Sequence, residues 1–360
     1  MSKPAKKKYK TKNWASYTKA LRARGSLTMR LDRDMAWQAA PASGKPGRPA
    51  TYSDAAVQCC PTMKVLFGLP LRQTQGFVQS VLGLSGLDWR APDYSTMSRR
   101  KKRLTVEIKA QPSQGGLHLL VDSTGIKMLG EGEWKTKKHR AEYRRQWRKV
   151  HLGIDAETLE IQAIEVTDNG VGDAPMLPEL LGQIPAKEAV LSEGGDGAYD
   201  TQNCHEATAK RGAEVVIPTR KNSQPWKARR PGAVARNEML RRTNRLGGAI
   251  WKNWSRYHRR SLVETKMRCF KLLGERVMAR TFERQVMELQ VRAAVLNRFT
   301  HLGTPVTPAV ASLRPGSGET QPRHDCATKP CAGSILTRSA SFLLFQREPK
   351  LSLLIWHSRK

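Results

Sequence analysis

Three carboxylates in this chain sit where a metal-assisted reaction would need them. Asp122 ends the apolar run Leu117-His118-Leu119-Leu120-Val121. Asp196 lies in Gly194-Gly195-Asp196-Gly197, just past Ala189-Val190-Leu191-Ser192. Glu264 falls in an amphipathic segment over 258–275. Displacement at a phosphodiester is served by two divalent cations held ~3.5–4 Å apart by bridging carboxylates, and hard oxygen ligands suit Mg²⁺. Each acid alone has a plainer reading. Asp122 can cap Ser123 or Thr124 at a strand end, and Asp196 can be the turn residue of an Asp-Gly pair. Glu264 can pair with Arg260 or Arg268 on a helix surface. Asp155, Asp173 and Asp200 read as turn, cap and cap. The order of the surrounding elements is what sets the first three apart.

Leu117–Asp122 reads as a strand. Lys149–Ile154 and Leu159–Val166 alternate polar and apolar residues around the turn Asp155-Ala156-Glu157-Thr158, so they predict a hairpin. A helix capped at Asp173 runs through Leu181, and Ala189–Ser192 is a fourth strand. Asp200 or Thr201 caps a helix to Lys210, and Glu214–Pro218 is a fifth strand. Three antiparallel strands followed by αβαβ is the order of a ribonuclease H-like core. The expected class is therefore α/β, a mixed five-stranded sheet with flanking helices. In such a core the first and fourth strands are neighbours, which brings Asp122 and Asp196 to one edge. Residues 219–255 are basic, carry Pro225, Pro231, Gly232 and Gly247-Gly248, and read as a loop-rich insert. Residues 258–299 read as helical, with Leu262, Met267, Phe270 and Leu273, then Val286, Leu289, Val291, Val295 and Leu296, at spacings of three and four.

The charge of the chain narrows the partner. Lys and Arg number 63 against 31 Asp and Glu, a net charge of +32 in 360 residues. That excess excludes an ordinary enzyme of small anionic metabolites and calls for a polyanion, with nucleic acid the default. No apolar run approaches the ~20 residues that span a bilayer, so no membrane partner is expected. Met1-Ser2-Lys3-Pro4 is followed by lysines rather than an apolar stretch, so no signal peptide is expected. The six cysteines show no CxxC pairing and read as reduced thiols; His324, Cys326 and Cys331 cluster by chance.

Upstream, Ser53 or Asp54 opens a helix that Pro61 interrupts or shortens, Leu71–Leu82 reads as a second, and Asp93–Leu104 as a third with basic residues in its second half. This resembles a helix-turn-helix arrangement and makes Arg99, Arg100 and Arg103 candidate DNA contacts. A dense run of Lys135, Lys137, Lys138, Arg140, Arg144, Arg145, Arg148 and Lys149 is interleaved with Trp134, Tyr143 and Trp147. It reads as a groove that tracks a phosphate backbone with stacking platforms, or else as a solvated hairpin. Trp226, Trp251 and Trp254 read as packing residues. The expected organisation is a basic disordered arm (1–12), a helical, helix-turn-helix-like DNA-binding domain (13–110), the ribonuclease H-like domain (116–302) and a disordered tail (303–360).

Tyr257, Arg260, Glu264 and Lys271 follow the spacing Y-x2-R-x3-E-x6-K. This resembles the signature of bacterial insertion-sequence transposases. The wider series resembles the DDE transposases of insertion-sequence family five. It comprises Val121-Asp122-Ser123-Thr124-Gly125, Gly130-Glu131-Gly132-Glu133-Trp134, Arg148-Lys149-Val150-His151-Leu152, Gly195-Asp196-Gly197-Ala198-Tyr199-Asp200-Thr201 and His258–Lys266, with Gly47-Arg48-Pro49, Leu69–Gly76 and Pro92-Asp93-Tyr94-Ser95 upstream. It covers about residues 9–310. The resemblance implies Asp122, Asp196 and Glu264 as catalytic metal ligands for two Mg²⁺ ions, with Mn²⁺ able to substitute. It implies Tyr257, Arg260 and Lys271 as DNA contacts. The implied partners are the double-stranded terminal inverted repeats of a mobile element, target DNA, and further copies of the chain in a synaptic complex. The implied location is the bacterial cytoplasm, at the nucleoid. Strand cleavage by water and attack of the freed 3′-hydroxyl on target DNA would follow, with no covalent protein–DNA intermediate.

Two features depart from that family. Pro61 stands where the family has an uninterrupted apolar helix, and a mid-helix proline costs ~3 kcal/mol. Residues from about 311 resemble nothing in it. These departures motivate a rival reading, a catalytically inactive derivative that acts as a DNA-binding repressor. A ribonuclease H-like nuclease of another kind fits the Tyr257–Lys271 series less well.

Overall fold

The computed structural model describes residues 8–26, 35–41, 49–128, 147–220, 222–227 and 229–310. They fall into two compact units, one of Met1–Gly25 with Leu302–Lys360, the other Ser26–His301. In the first, β1 (Lys8–Tyr9) pairs antiparallel with Ala309–Val310, and α1 (Trp14–Arg24) follows. Backbone N–H groups of Lys10 and Lys12 donate to the carbonyls of Pro308 and Val306. The Asn13 side chain donates to Thr304 O at 2.9 Å and accepts from Val306 N at 2.7 Å. The described part of the expected arm is thus held in a ladder, and its partner is the stretch 304–310, which the sequence placed in the tail.

In the larger unit, Ser53 caps α2 (Asp54–Phe67), its side chain accepting from Ala56 N at 3.0 Å. Pro61 does not interrupt this helix. It is buried within it, beside Cys59, Cys60 and Met63, and this packing outweighs a local propensity penalty. α3 (Leu71–Leu84) and α4 (Tyr94–Arg100) complete a core built on Trp37, Met63, Val78, Leu82 and Met97. Asp93 caps α4, accepting from Ser95 N at 2.8 Å. The helix expected over Asp93–Leu104 ends at Arg100, and Lys101–Arg103 form a turn. Val57, Leu104 and Val106 pack with Met287, Val291 and Val295, so the helical region and the C-terminal helix share a core.

The sheet is mixed. β2 (Leu117–Met128), β3 (Trp147–Asp155) and β4 (Ile161–Asp168) pair antiparallel in sequence, while β5 (Val190–Gly194) pairs parallel with β2 and β6 (Glu214–Val216) parallel with β5. The order β4-β3-β2-β5-β6 is the one expected of a ribonuclease H-like core. A sixth strand was not foreseen: β7 (Arg276–Val277) pairs parallel with Lys127 and Met128. Its two residues are too few for a period-two signal.

Helices cover both faces. On one face α5 (Leu177–Gln183) and α6 (Gln202–Lys210) pack on Leu117, Leu119 and Val121. The insert is not loop-rich beyond its first dozen residues; it forms α7 (Pro231–Leu246) and α8 (Gly248–Trp254). Pro231 stands at the first position of α7, where its missing N–H costs nothing. On the other face α9 (Ser261–Leu272) and α10 (Phe282–Leu302) lay Val263, Met267, Phe270 and Leu289 on Leu120, Ile126, Val150 and Leu152. Side chains alternate along a strand, so Asp122 shares the face of Leu120, under α9.

Candidate active site

The parallel pairing of β2 and β5 aligns Leu120 with Gly194. Asp122 and Asp196 each lie two residues beyond that rung; Asp122 is not the strand end expected, because β2 runs on to Met128, whereas Asp196 follows the end of β5. The Asp122 Oδ1 accepts from Ser123 N at 2.8 Å, which fixes the carboxylate and matches the plain capping reading as well. Asp196 caps the short 3₁₀ turn Gly197–Tyr199, accepting from Ala198 N at 2.8 Å. Gly195 is required by close approach: a Cβ there would stand 2.9 Å from the Tyr199 ring. Glu264 sits in the first turn of α9, directly after the 3₁₀ turn Tyr257–Arg260.

Arg260 ties these parts together. Its Nη1 lies 3.3 Å from Asp122 Oδ2 and its Nη2 2.6 Å from Glu264 Oε1. The Tyr257 ring lies 6.0 Å from the guanidinium carbon. The Asp122 carboxyl titrates above its ordinary range. Burial is the main cause; the Ser123 N–H and Arg260 oppose it, and the charges of Asp196 and Glu264 add to it. The Tyr257 hydroxyl is raised by burial, and Asp196 and Asp122 push the same way against Arg260. Asp196 therefore acts electrostatically on both Asp122 and Tyr257. Among the described residues, no group of three His, Cys, Asp or Glu is closed enough to hold a metal ion. The guanidinium stands between two of the acids instead.

The donor chemistry nonetheless fits a hard divalent cation. All three candidate ligands offer carboxylate oxygen, and like charges crowd Asp122 until a cation compensates them. Here a guanidinium does so.

The other candidates scatter. Lys271 is half-buried in the last turn of α9, two turns from Glu264, or about 10 Å along the axis. Arg99 and Arg103 are exposed. Arg100 is held by Asp54 at 2.5 Å and by the Tyr52 carbonyl at 3.2 Å. Arg148 pairs with Asp168, donates to Gln285 Oε1 at 2.6 Å and lies over the Phe282 ring at 5.0 Å. Both are engaged in structure rather than presented to a ligand. Trp134, Lys135, Lys137, Lys138, Arg144 and Arg145 lie outside the described residues.

Sequence reasoning missed three residues. Trp254, expected to pack as Trp251 does, is 60 % exposed beside Arg242, whose guanidinium carbon lies 5.9 Å from its ring. Asp200, expected only to cap a helix, is buried and bound by Arg236 at 3.2 Å and His205 at 3.1 Å, and accepts from Arg220 N at 3.2 Å. These partners hold its carboxyl well below the usual range despite burial. Glu193 is fully buried in β5 and pushed up to about 8 by that burial, with Thr208 opposing. Glu193 stands just after the expected strand Ala189–Ser192, and β5 runs on through it to Gly194.

Comparison with protein families agrees with this architecture. Two family models described as Transposase DDE domain match, one over residues 22–131 and the other over residues 113–298. The second match spans more than half of the chain and contains the whole sheet, Asp122, Asp196, Arg260 and Glu264, so the chain belongs to the DDE-domain transposases.

Proposed function

We propose that this chain is the transposase of a family-five insertion sequence, which binds the element's terminal inverted repeats and carries out Mg²⁺-dependent strand cleavage and strand transfer. The observation that supports the reading is that Arg260 joins Asp122 of β2 to Glu264 of α9, with Asp196 just past the end of β5 close enough to act on the Asp122 charge. Asp122 stands on β2, Asp196 on the turn just past the end of the neighbouring β5, and Glu264 on a helix packed against the sheet. Such mounting suits ligands that must be positioned to fractions of an ångström. Divalent cations bound there would lower the pKa of a water and neutralise charge on the leaving oxygen.

The chain's own residues have the remaining tasks. Asp122, Asp196 and Glu264 hold the ligand oxygens in place. Arg260 and Lys271 supply cationic groups for DNA phosphates, with Arg260 able to do so bidentately. Water oxygen bonds to phosphorus, the 3′-oxygen leaves with the bonding electrons and takes up a proton, and that hydroxyl later attacks a phosphodiester of target DNA. The two helices α3 and α4, with Arg99 exposed near the end of the second and Arg103 in the turn after it, are the proposed helix-turn-helix-like reader. The exposed Trp254 adds an aromatic face beside the site. Among the described residues no helix is long and apolar enough to cross a membrane. The chain is proposed to act on the bacterial chromosome as a homo-oligomer.

Asp196→Asn tests this. The variant keeps binding to DNA carrying the element's ends, measured by mobility shift, and loses cleavage in Mg²⁺ by at least a hundredfold, the scale at which electrostatic catalytic groups act. A variant that still cleaves would sink the metal assignment.

A further inference from the structure

We propose that Arg260 is a resident counter-ion that a divalent cation must displace, and that the displaced guanidinium then takes a DNA phosphate, so metal and DNA binding reinforce each other. This rests on the active-site reading above. Nη1 of Arg260 lies against Asp122 and Nη2 against Glu264. Both arms of the fork are therefore engaged, and the bidentate geometry a phosphate wants is not available while they are. A divalent cation held by Asp122 and Glu264 would compete with the guanidinium for the same two carboxylates, so binding of one opposes binding of the other.

The parts can move. Arg260 side-chain exposure is 25 % and that of Glu264 is 52 %, while Asp122, at 19 %, is anchored by Ser123 N. The exchange thus needs rotation of two surface side chains against one fixed carboxylate. The Tyr257 ring offers the guanidinium a face to move along. Any ligand that frees Arg260 must strengthen a ligand that uses it, by the same factor in both directions. A carboxylate pair that is compensated in advance also avoids like-charge repulsion before a metal arrives.

The test is Mn²⁺ binding by the full chain, followed by electron paramagnetic resonance, for the unaltered protein, Arg260→Gln, Arg260→Lys and Asp196→Asn. Arg260→Gln is expected to bind Mn²⁺ roughly three- to tenfold more tightly, because the competing pairs are gone. Arg260→Lys, with one point contact in place of a fork, falls between. Equal or weaker binding by Arg260→Gln would overturn the proposal, weaker binding meaning that the arginine orders the acids rather than competes for them. A second arm measures binding of a fluorescent duplex of arbitrary sequence with and without Mn²⁺. Mn²⁺ should strengthen duplex binding by the unaltered protein and not by Arg260→Gln; equal strengthening in both overturns the linkage. Asp196→Asn separates the two readings. If the unaltered protein binds no Mn²⁺ that depends on Asp196, the metal site itself fails and the proposal falls with it. If Asp196-dependent binding is present but Arg260→Gln changes nothing, only the displacement fails. Unchanged thermal melting of the Arg260 variants keeps either result free of misfolding.

Discussion

Asp200 shows what a single buried charge can do outside the proposed catalytic group. It stands four residues past Asp196, and its carboxylate receives Arg236 through both oxygens. Arg236 is itself buried, donates to the Gln224 carbonyl at 2.6 Å and lies over Trp226 at 4.4 Å. One carboxylate thereby locks α7 onto the end of the sheet beside Asp196. Removing one partner of such a pair leaves an uncompensated buried charge, which costs about 3–5 kcal/mol. Asp200→Ala should lose stability on that scale in urea unfolding, and a loss under ~1 kcal/mol would show that α7 is held by its apolar contacts instead. Because the Asp200 carboxyl is depressed, its contribution is complete above the ordinary carboxylate range and fades as pH falls below it.

At the residue scale the candidate site was partly legible. Asp122 and Asp196 could be singled out because strand order made their strands neighbours, and Glu264 because the spacing of Tyr257, Arg260 and Glu264 puts a cation one helical turn from an acid. The Arg260–Asp122 contact was not legible, since it joins residues on different elements with no local pattern. The same holds for Arg236 and Asp200. Arg100 and Arg148 illustrate the converse: a basic residue in a basic run looks available, and only the fold reveals that Asp54 or Asp168 has already taken it.

At the scale of elements, the period-two strands appeared where alternation predicted them, because each has one apolar face on a helical layer. The failures have physical reasons. Pro61 reads as a breaker, yet α2 runs through it, so the proline no longer argues for an inactive derivative. The insert reads as loop because Pro and Gly are common in it, but Pro231, Gly232, Gly247 and Gly248 fall at the ends of α7 and α8, where they are compatible with helices. The junction of α2, α4 and α10 was invisible. There Lys101 is 7 % exposed, close to Cys60, Lys64, Arg284 and Glu288. Burial and the Lys64 charge lower its pKa to about 8, against the pull of Glu288 and Cys60. Between that value and lysine's unfolded value of about 10 the unfolded chain binds more protons, so stability should climb with pH across this window. Lys64 is lowered as well, mainly by burial, and adds to the slope. Chemical denaturation at a series of pH values should show a shallower climb for Lys101→Met than for the unaltered chain. Equal slopes would mean that Lys101 keeps its proton by reaching water.

At the scale of the whole molecule, the charge of +32 is the property most plainly written in the composition, and it agrees with membership of a DNA-acting family. How the chain closes on itself was not legible, because two-residue strands carry no period. The backbone of β1 has a defined partner in Ala309–Val310, and Asn13 and Arg24 reach Thr304, Val306 and Gly303. Two truncations should therefore behave differently. Ending the chain after Ala311 retains every one of these contacts and removes a stretch in which Pro315, Gly316, Gly318, Pro322, Pro330 and Gly333 break up apolar periodicity, followed by an apolar segment that Pro349 divides. DNA cleavage should be unchanged or improved. Ending it after His301 removes the partner of β1 and the acceptors of Lys10, Lys12, Asn13 and Arg24, and takes Gly303 away from Ala20. Limited proteolysis should then cut within residues 8–25 far faster than in the chain ending at Ala311. Equal protection of that stretch in both truncations would show that α1 holds its place without the C-terminal strand, and loss of cleavage in a folded chain ending at Ala311 would assign the last residues a role in the reaction.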